Sequence, residues 1–556
     1  MGNFLETVFE QLEKNGGRVV LREVRGEEFV SVTGRELLDR VARARGFLRH
    51  AGLKAGERCG LLGANSIEWT ALDLALMAES IVVVPLYARQ AAAELAGMMK
   101  DCAPSLLLAS DAALGESVAQ EWADAPRRVT FADALAGGGD AVNGAPNARQ
   151  DDELVTIIYT SGTSGEPKGV CLTVGNLNHM LGCTTGWIDR LTAGKQTEPL
   201  RVFQYLPFNF AASWIVMLSC LLRDTVLTLS TDLNKLADEI RLSAPNYFFN
   251  VPTLLERVRR GVEDTIGKSN GLVRGIYQRG KASWKKQHDE ETEPGGLWLL
   301  LARRLIFRKI LARFGPNLRG LVCGSAPLAP ETQEFFSMLG IPIWQVYGLT
   351  ETCGICTMDD PTREGEPGRV GQAVPGVEMK TGENEEILVR GPNIFPGYWN
   401  RPEESARVLR DGWFHSGDQG EQNSRGNWRI SGRIKNLIIL NSGHNIAPEP
   451  IEEKIASHLA GAQQVVVLGN GRGYLCALVT GAVEPNATQT ALDFVNVDLP
   501  HYRQVRSFAI LKDAFTPESG LLTANGKLRR DAINARFGNE IEQMYRKSAA
   551  AAGAKG

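Results

Sequence analysis

Residues 154–169, LVTIIYTSGTSGEPKG, join an apolar strand-sized run to a loop of hydroxyls, glycines and one lysine. Glycines let backbone N–H groups approach phosphate oxygens, hydroxyls add donors, and a lysine supplies positive charge. The candidate phosphate-holding residues are Thr160, Ser161, Gly162, Thr163, Ser164, Gly165 and Lys168. The run is not a Walker A loop. Pro167 stands where the second glycine belongs, and Gly169 follows Lys168 in place of Ser or Thr. Four hydroxyls, three glycines and a Pro-Lys-Gly end directly after a strand make a merely flexible turn a poor explanation.

The rest of the chain supplies layers around this loop. RELLDRVARARGFLRH (35–50) has a helical apolar period, and WTALDLALMAES (69–80) also reads as helix. IVVVPLY (81–87) and SLLLASD (105–111) read as short strands. Strand-sized runs alternating with helical patterns predict α/β layers and a parallel sheet. Residues 134–150, rich in Gly, Ala, Asn and Pro, read as a surface connection. From about residue 433 the texture changes, and VVVLG (465–469) with YLCALVT (474–480) suggests a hairpin. This predicts a compact α+β module to about residue 535, followed by a frayed end, KSAAAAGAKG. The expected organisation is a large N-terminal domain over 1–433 and a small C-terminal domain over 434–556.

Residues 258–320 form a strongly basic insertion. Inside it, LWLLLARRLIFRKILARF (297–314) should be helical, with Ile306, Phe307, Ile310, Leu311 and Phe314 on one side. Arg304, Arg308 and Lys309 lie opposite, but Arg303 interrupts the apolar face. The segment reads first as a core-packed helix with snorkelling arginines, and second as a basic helix on an anionic membrane.

Composition narrows the function classes. At 556 residues the chain can bury a large core without staples. Its net charge of −3 gives no basic surplus of the kind nucleic-acid binding requires. Nine scattered cysteines, an odd number in a long chain, favour a reducing compartment over a disulfide framework. The N-terminal residues lack the pattern of a secretory leader, and no run of 18 apolar residues occurs. A cytoplasmic protein is expected, with peripheral contact at the inner face of a membrane as the alternative that 297–314 raises.

Further motifs add chemistry. In YGLTET (347–352), Glu351 beside a phosphate loop would be repelled unless a divalent cation bridged them, so it is a candidate Mg²⁺ ligand. Tyr347 could stack on a base. GWFHSGD (412–418) places Asp418 in what reads as a Gly-bounded turn, suited to gripping a ribose diol. GRIK (432–435) puts Arg433 and Lys435 at the inferred domain border, and TANGKLRR (523–530) presents Lys527 on a Gly-containing turn. Cys353 and Cys356 could form a metal or redox pair, but no second CxxC accompanies them, so packed thiols are the expectation. Gly469-x-Gly471-x-Gly473 reads as a hairpin turn, since no helix pattern follows.

Together, in this order, YTSGTSGEPKGV, YGLTET, GWFHSGD, GRIKN and TANGKLRR resemble the adenylate-forming superfamily over about residues 30–535. Within it the chain is most similar to long-chain fatty acyl-CoA synthetases, on the basic insertion and the GHNIAPEPIEE loop (443–453). The resemblance implies a large α/β domain of packed sheets and helices, and a small mobile α+β lid hinged near Lys435. It implies ATP, Mg²⁺ and coenzyme A, a fatty acid substrate, and two half-reactions through an acyl-adenylate. It also implies roles. Lys527, Thr350 and Glu351 are the catalytic group, and Lys527 bridges carboxylate and α-phosphate. Gly324 and Ser325 line the nucleotide pocket, Tyr347 stacks on adenine, and Asp418 grips ribose with Arg433 nearby. Ser442, Gly443 and His444 form the coenzyme A side, where Gly443 leaves space for the thiol arm. Phe210, in LPFNF (206–210), walls the acyl pocket where many long-chain members carry histidine. An acyl carrier protein as acceptor, a β-lactone synthetase and a non-catalytic acyl-binding protein on membranes are the alternatives.

Overall fold

The computed structural model describes residues 3–161, 167–192, 198–290, 296–516, 518–523 and 526–553. Two large sheets carry the first 400 residues. One has six strands in the order 127–130, 106–109, 58–63, 82–87, 154–161 and 167–173. Its neighbours are parallel except for the last pair, an antiparallel hairpin. The other has nine strands, with a parallel centre of 343–347, 321–323, 247–250, 200–204, 225–229 and 19–25. Antiparallel strands close both of its edges. The parallel strands read as continuous apolar runs because both faces are covered. Val82–Leu86 and Leu106–Ala109 are buried throughout.

The expected helices occur at Gly34–His50 and Ile67–Ala78. Thr33 and Glu36 close a reciprocal capping box at the first, and Ser66 accepts from Trp69 N–H at the second. Helix Ile67–Ala78 is buried on all sides, so its apolar pattern has no polar face. Residues 137–153 form the expected connection without regular structure.

A five-stranded sheet follows, containing the hairpin Trp413–Gln422 and Trp428–Arg433. Here the turn expected at GWFHSGD is corrected: these residues are strand, and Gly417 takes φ +70° within it. The Gly residues serve a distorted strand edge, and the pairing supplied by 428–433 outweighs their turn preference.

Beyond Lys435, three strands, Ala462–Leu468, Leu475–Gly481 and Val505–Leu511, pack with helices around a separate apolar core. The hairpin over 462–481 is as expected. The C-terminal end differs over its described part: helix Gly538–Gly553 covers residues 547–553 of the segment expected to fray. Its alanines are the strongest helix formers, and Met544 anchors it in the core.

Residues 297–311 of segment 297–314 are helical and 312–314 form a turn, and Leu299, Ala302, Ile306, Phe307, Ile310 and Phe314 are buried, which supports the core-packed reading of that face. Residues Arg303–Phe307 form a π turn. Its wider winding lets Arg303 face out while Ile306 and Phe307 face in, so the arginine does not break the buried face. No helix among the described residues is long and apolar enough to cross a membrane.

Candidate active site

The hairpin Leu154–Ser161 and Pro167–Thr173 pairs Thr160 with Lys168. Gly162, Thr163, Ser164 and Gly165 lie outside the described residues, as does the side chain of Ser161. A third segment runs along the outside of the hairpin. Trp399 N–H donates to Gly169 O at 2.7 Å, Cys171 N–H donates to Gly397 O at 3.2 Å, and Tyr398 bridges Val170. Gly169 permits this approach, since a Cβ there would lie 2.6 Å from Ile157 Cγ2 and 3.2 Å from Trp399 Cβ.

That third segment brings in Tyr398, which the sequence reading missed. Its ring lies 5.3 Å from Lys168 Nζ, and its hydroxyl donates to Glu351 Oε1 at 2.8 Å. Lys168 also pairs with Glu404, another missed residue, at 3.1 Å. Lys168 is therefore held by a carboxylate in this structure. Only the Gly/Pro punctuation of GPNIFPGYWN marked this segment as a functional loop.

Glu351 and Thr350 sit on the short 3₁₀ turn Thr350–Thr352, directly after strand Ile343–Tyr347. Gly324 lies against this strand, where a Cβ would fall 2.6 Å from Val346 Cγ2. Ser325 has φ +77°, a strained conformation for a residue with a side chain, and faces the cleft.

Asp418 and Arg433 are directly opposite in their hairpin. Arg433 Nε lies 2.7 Å from Asp418 Oδ1, and the Tyr347 hydroxyl donates to Asp418 Oδ2 at 2.8 Å. The nearly buried Asp418 is thus fixed from two sides. Its charge pushes the Arg433 pKa up, while burial followed by Asp418 pushes the Tyr347 phenol well up.

Ser325, Tyr347, Asp418 and Arg433 open onto a cleft of about 1830 Å³ between the large sheets and the C-terminal unit. Lys435 and Lys527 line its other wall. Lys527 keeps accessible surface inside the cleft, yet the surrounding protein desolvates it and Arg433 repels it. Both effects push its pKa down to about 8, against the pull of Asp418 and Glu351. Lys435 is lowered to about 8 for the same two reasons. Lys527 therefore shares one electrostatic field with Glu351, Asp418 and Arg433, although these lie in four separate motifs.

Mg²⁺ fits this donor set only together with phosphates. Such a cation typically takes one or two protein carboxylates plus substrate oxygens. Glu351, oriented by Tyr398, supplies one. Among the described residues no group of three or more His, Cys, Asp or Glu could hold a metal by itself. Cys353 and Cys356 are packed thiols, and burial pushes Cys356 up to about 12.

Ser442, Gly443 and His444 lie elsewhere. They form an exposed turn in which the Ser442 hydroxyl and His444 Nδ1 are 2.9 Å apart and His444 stacks on Tyr502 at 4.1 Å. They are not among the residues lining the cleft. Phe210 begins the buried apolar helix Ala211–Leu221 and stacks on Phe249 at 6.1 Å.

Residues 8–399 match the AMP-binding enzyme family, and residues 435–549 match the AMP-binding enzyme C-terminal domain. The chain belongs to the AMP-binding enzymes. This AMP-binding enzyme is 28% identical to the long-chain-fatty-acid–CoA ligase FadD15 of Mycobacterium bovis, over 98% of this chain and 97% of that protein. It is 26% identical to long chain acyl-CoA synthetase 3 of Arabidopsis thaliana, over 96% and 89%. Its fold is that of ATP-bound MatB from Rhodopseudomonas palustris (TM-score 0.74, 23% identity, 97% and 99% covered). The A domain of the carboxylic acid reductase from Segniliparus rugosus, in complex with AMP, gives a TM-score of 0.77 at 21% identity, with 98% and 94% covered.

Two contacts join the enzyme's C-terminal unit to the N-terminal part of the chain. Arg529 Nη1 lies 2.7 Å from Glu94 Oε1, and Arg260 Nη1 donates to Ala462 O at 3.2 Å. A partly exposed ion pair is worth about 0.2–1 kcal/mol. Arg529→Ala should therefore slow any step that needs Lys527 in the cleft by roughly 1.5- to 5-fold. Single-turnover rates of parent and variant would measure it, and equal rates would mean the pair does not hold the closed arrangement.

An opposing contact lies nearby. Glu453 Oε1 is buried without a hydrogen-bond partner, and the Glu453 carboxyl faces Glu256 and Glu331 across the same interface. Burial, then these two charges, push its pKa up to about 7. A carboxyl raised above its ordinary value binds a proton on closing. Closure is thus favoured below the ordinary carboxylate range and weakens as pH rises to about 7. Glu453→Gln should flatten this part of the pH profile of the closed-state reaction, and an unchanged profile would exclude Glu453 as its source.

Proposed function

We propose that this AMP-binding enzyme activates a fatty acid of medium to long chain with Mg-ATP, forms an acyl-adenylate and pyrophosphate, and transfers the acyl group to coenzyme A with release of AMP. The observation that carries this reading is the convergence of Lys527, Asp418 and Arg433 on one cleft, with Glu351 acting on Lys527 from beside it and linked through Tyr398 to the Lys168 hairpin. The names of the fatty-acid–CoA ligase relatives support the substrate class.

The roles follow from charge. Bringing a carboxylate to a polyanion opposes like charges, and a unit pair at 4 Å interacts by roughly 4 kcal/mol at an effective dielectric of 20. The hairpin around 160–169, with Lys168 exchanged from Glu404, holds the outer phosphates. Glu351 holds Mg²⁺, which when bound would neutralise phosphate charge, and Thr350 contacts phosphate. Asp418, its acceptor oxygens oriented by Tyr347 and Arg433, takes the ribose. Tyr347 and the Gly324–Ser325 turn border the adenine, and Phe210 lies along the acyl path. Lys527 donates to the attacking carboxylate and the α-phosphate, where its field strengthens as charge builds.

Thiol transfer needs a different wall. Rotation of 434–556 about Lys435 would withdraw Lys527 and present Ser442, Gly443 and His444. Their position outside the cleft supports two arrangements.

Pyrophosphate release should be measured with Mg-ATP and acids from acetate to oleate, with and without coenzyme A. Release with one chain-length class and AMP turnover only with coenzyme A is the expected result. Release without coenzyme A dependence would move the acceptor to an acyl carrier protein or an internal hydroxyl. No release with any acid would overturn the reading.

A further inference from the structure

We propose that the antiparallel helices Gly271–Glu290 and Leu297–Leu311, together a helical hairpin, form a docking surface for an anionic lipid bilayer, on which they lie without spanning. Helix Gly271–Glu290 packs antiparallel to Leu297–Leu311. A Cβ on Gly280 would lie 2.6 Å from Ala302 Cβ, and Tyr277 meets Phe307 edge-on at 6.4 Å. Their shared face is satisfied by the core. The outer face is the unusual one.

That face carries large apolar side chains that the fold does not cover. Leu272, Leu297, Leu300 and Leu305 are 72%, 68%, 54% and 48% exposed. Trp298 is also exposed, with the Arg279 guanidinium 4.4 Å from its ring centre. Arg303, Arg304, Arg308 and Lys309 are exposed between these leucines. Residues 271–311 hold nine Lys and Arg against four acids, Asp289, Glu290, Glu291 and Glu293, all four clustered in sequence between the two helices' ends, in a chain whose net charge is −3. Single leucines interleaved with cations match a bilayer interface, where apolar side chains enter the acyl boundary and cations meet headgroup phosphates. A second copy of this chain would bring the same cations face to face, which charge opposes.

The hairpin's roots explain why such a surface would matter. It is inserted between strands Tyr247–Asn250 and Leu321–Cys323, which are neighbours in the large sheet. Val251 and Pro252 on one side, and Ser325 on the other, line the cleft. A docked hairpin would hold the cleft close to the bilayer, where long-chain acids partition. The docking itself does not depend on the acid being the substrate.

Flotation of the full chain with vesicles of phosphatidylcholine, alone or mixed with phosphatidylglycerol, tests the proposal without any turnover. Flotation with the mixed vesicles only, suppressed by high salt, is expected. Each basic residue near an anionic surface contributes roughly fivefold to partitioning. Arg304→Ala with Arg308→Ala should therefore lower partitioning by about 30-fold. Leu300→Ser with Leu305→Ser should abolish it at low salt. All four positions are exposed, so thermal melting should stay at the parent's midpoint in both variants. Absence of flotation with anionic vesicles would overturn the proposal. So would parental flotation of both folded variants, or a loss of self-association in them with flotation unchanged.

Discussion

Lys527→Ala should lower the rate of acyl-adenylate formation by roughly 10²- to 10³-fold, the usual cost of removing one donor aimed at developing charge. The cleft explains why so much rests on one side chain. Arg433 is engaged by Asp418 and Lys168 by Glu404, whereas Lys527 is desolvated and drawn by Asp418 and Glu351. Thioester formation from supplied acyl-adenylate should survive, because that step is proposed to use the other arrangement. The two half-reactions would be followed separately, by pyrophosphate release and by thioester appearance. Equal loss of both would remove Lys527 from its assigned role. A pH profile adds a second reading. With its pKa lowered to about 8, Lys527 loses its proton in the ligand-free closed form as pH rises through that value. Capture of ATP should decline over the same range, and Lys527→Arg should reduce the decline to the part due to Lys435, which is also lowered to about 8, whatever it does to the rate.

The second large effect is expected at Lys435. It occupies the second position of the turn Ile434–Leu437, which is closed by Leu437 N–H donating to Ile434 O at 3.2 Å. Proline is favoured at that position, so Lys435→Pro suits the observed arrangement. It also fixes φ, the freedom a hinge needs. Adenylate formation should stay within about threefold of the parent, while thioester formation falls on the order of 100-fold. Lys435→Ala separates hinge from charge, since it removes the cation and keeps the rotation. Loss of thioester formation in both variants would point to the charge, and full activity of the proline variant would place the hinge elsewhere.

The α/β class was legible because parallel strands buried on both faces leave unbroken apolar runs, as in 82–86 and 106–109. The hairpin over 462–481 was legible because turn glycines interrupt two such runs. GWFHSGD misled, because glycine marks a distorted strand as readily as a turn, and only the partner strand 428–433 decides between them. Arg303 looked like a fault in a helix because a constant winding was assumed, and one π turn removes the fault. At the site, residues carried by dense motifs were named in advance. Tyr398 and Glu404 were not, because their importance comes from a segment docking beside the Lys168 hairpin more than 200 positions away. The Glu94–Arg529 pair has no local signature at all.

The depressed ammonium groups of Lys435 and Lys527 have a consequence for timing. Together with Arg433 they form a cationic knot in which desolvation and mutual repulsion depress both lysines, although each keeps surface open to the cleft. A bound triphosphate quiets that knot, and departing pyrophosphate takes most of the counter-charge away with it. On this reading, closure is wound like a spring by the nucleotide's own product. Under the proposed function, the release that ends the first half-reaction would also supply the push that opens the way to the second.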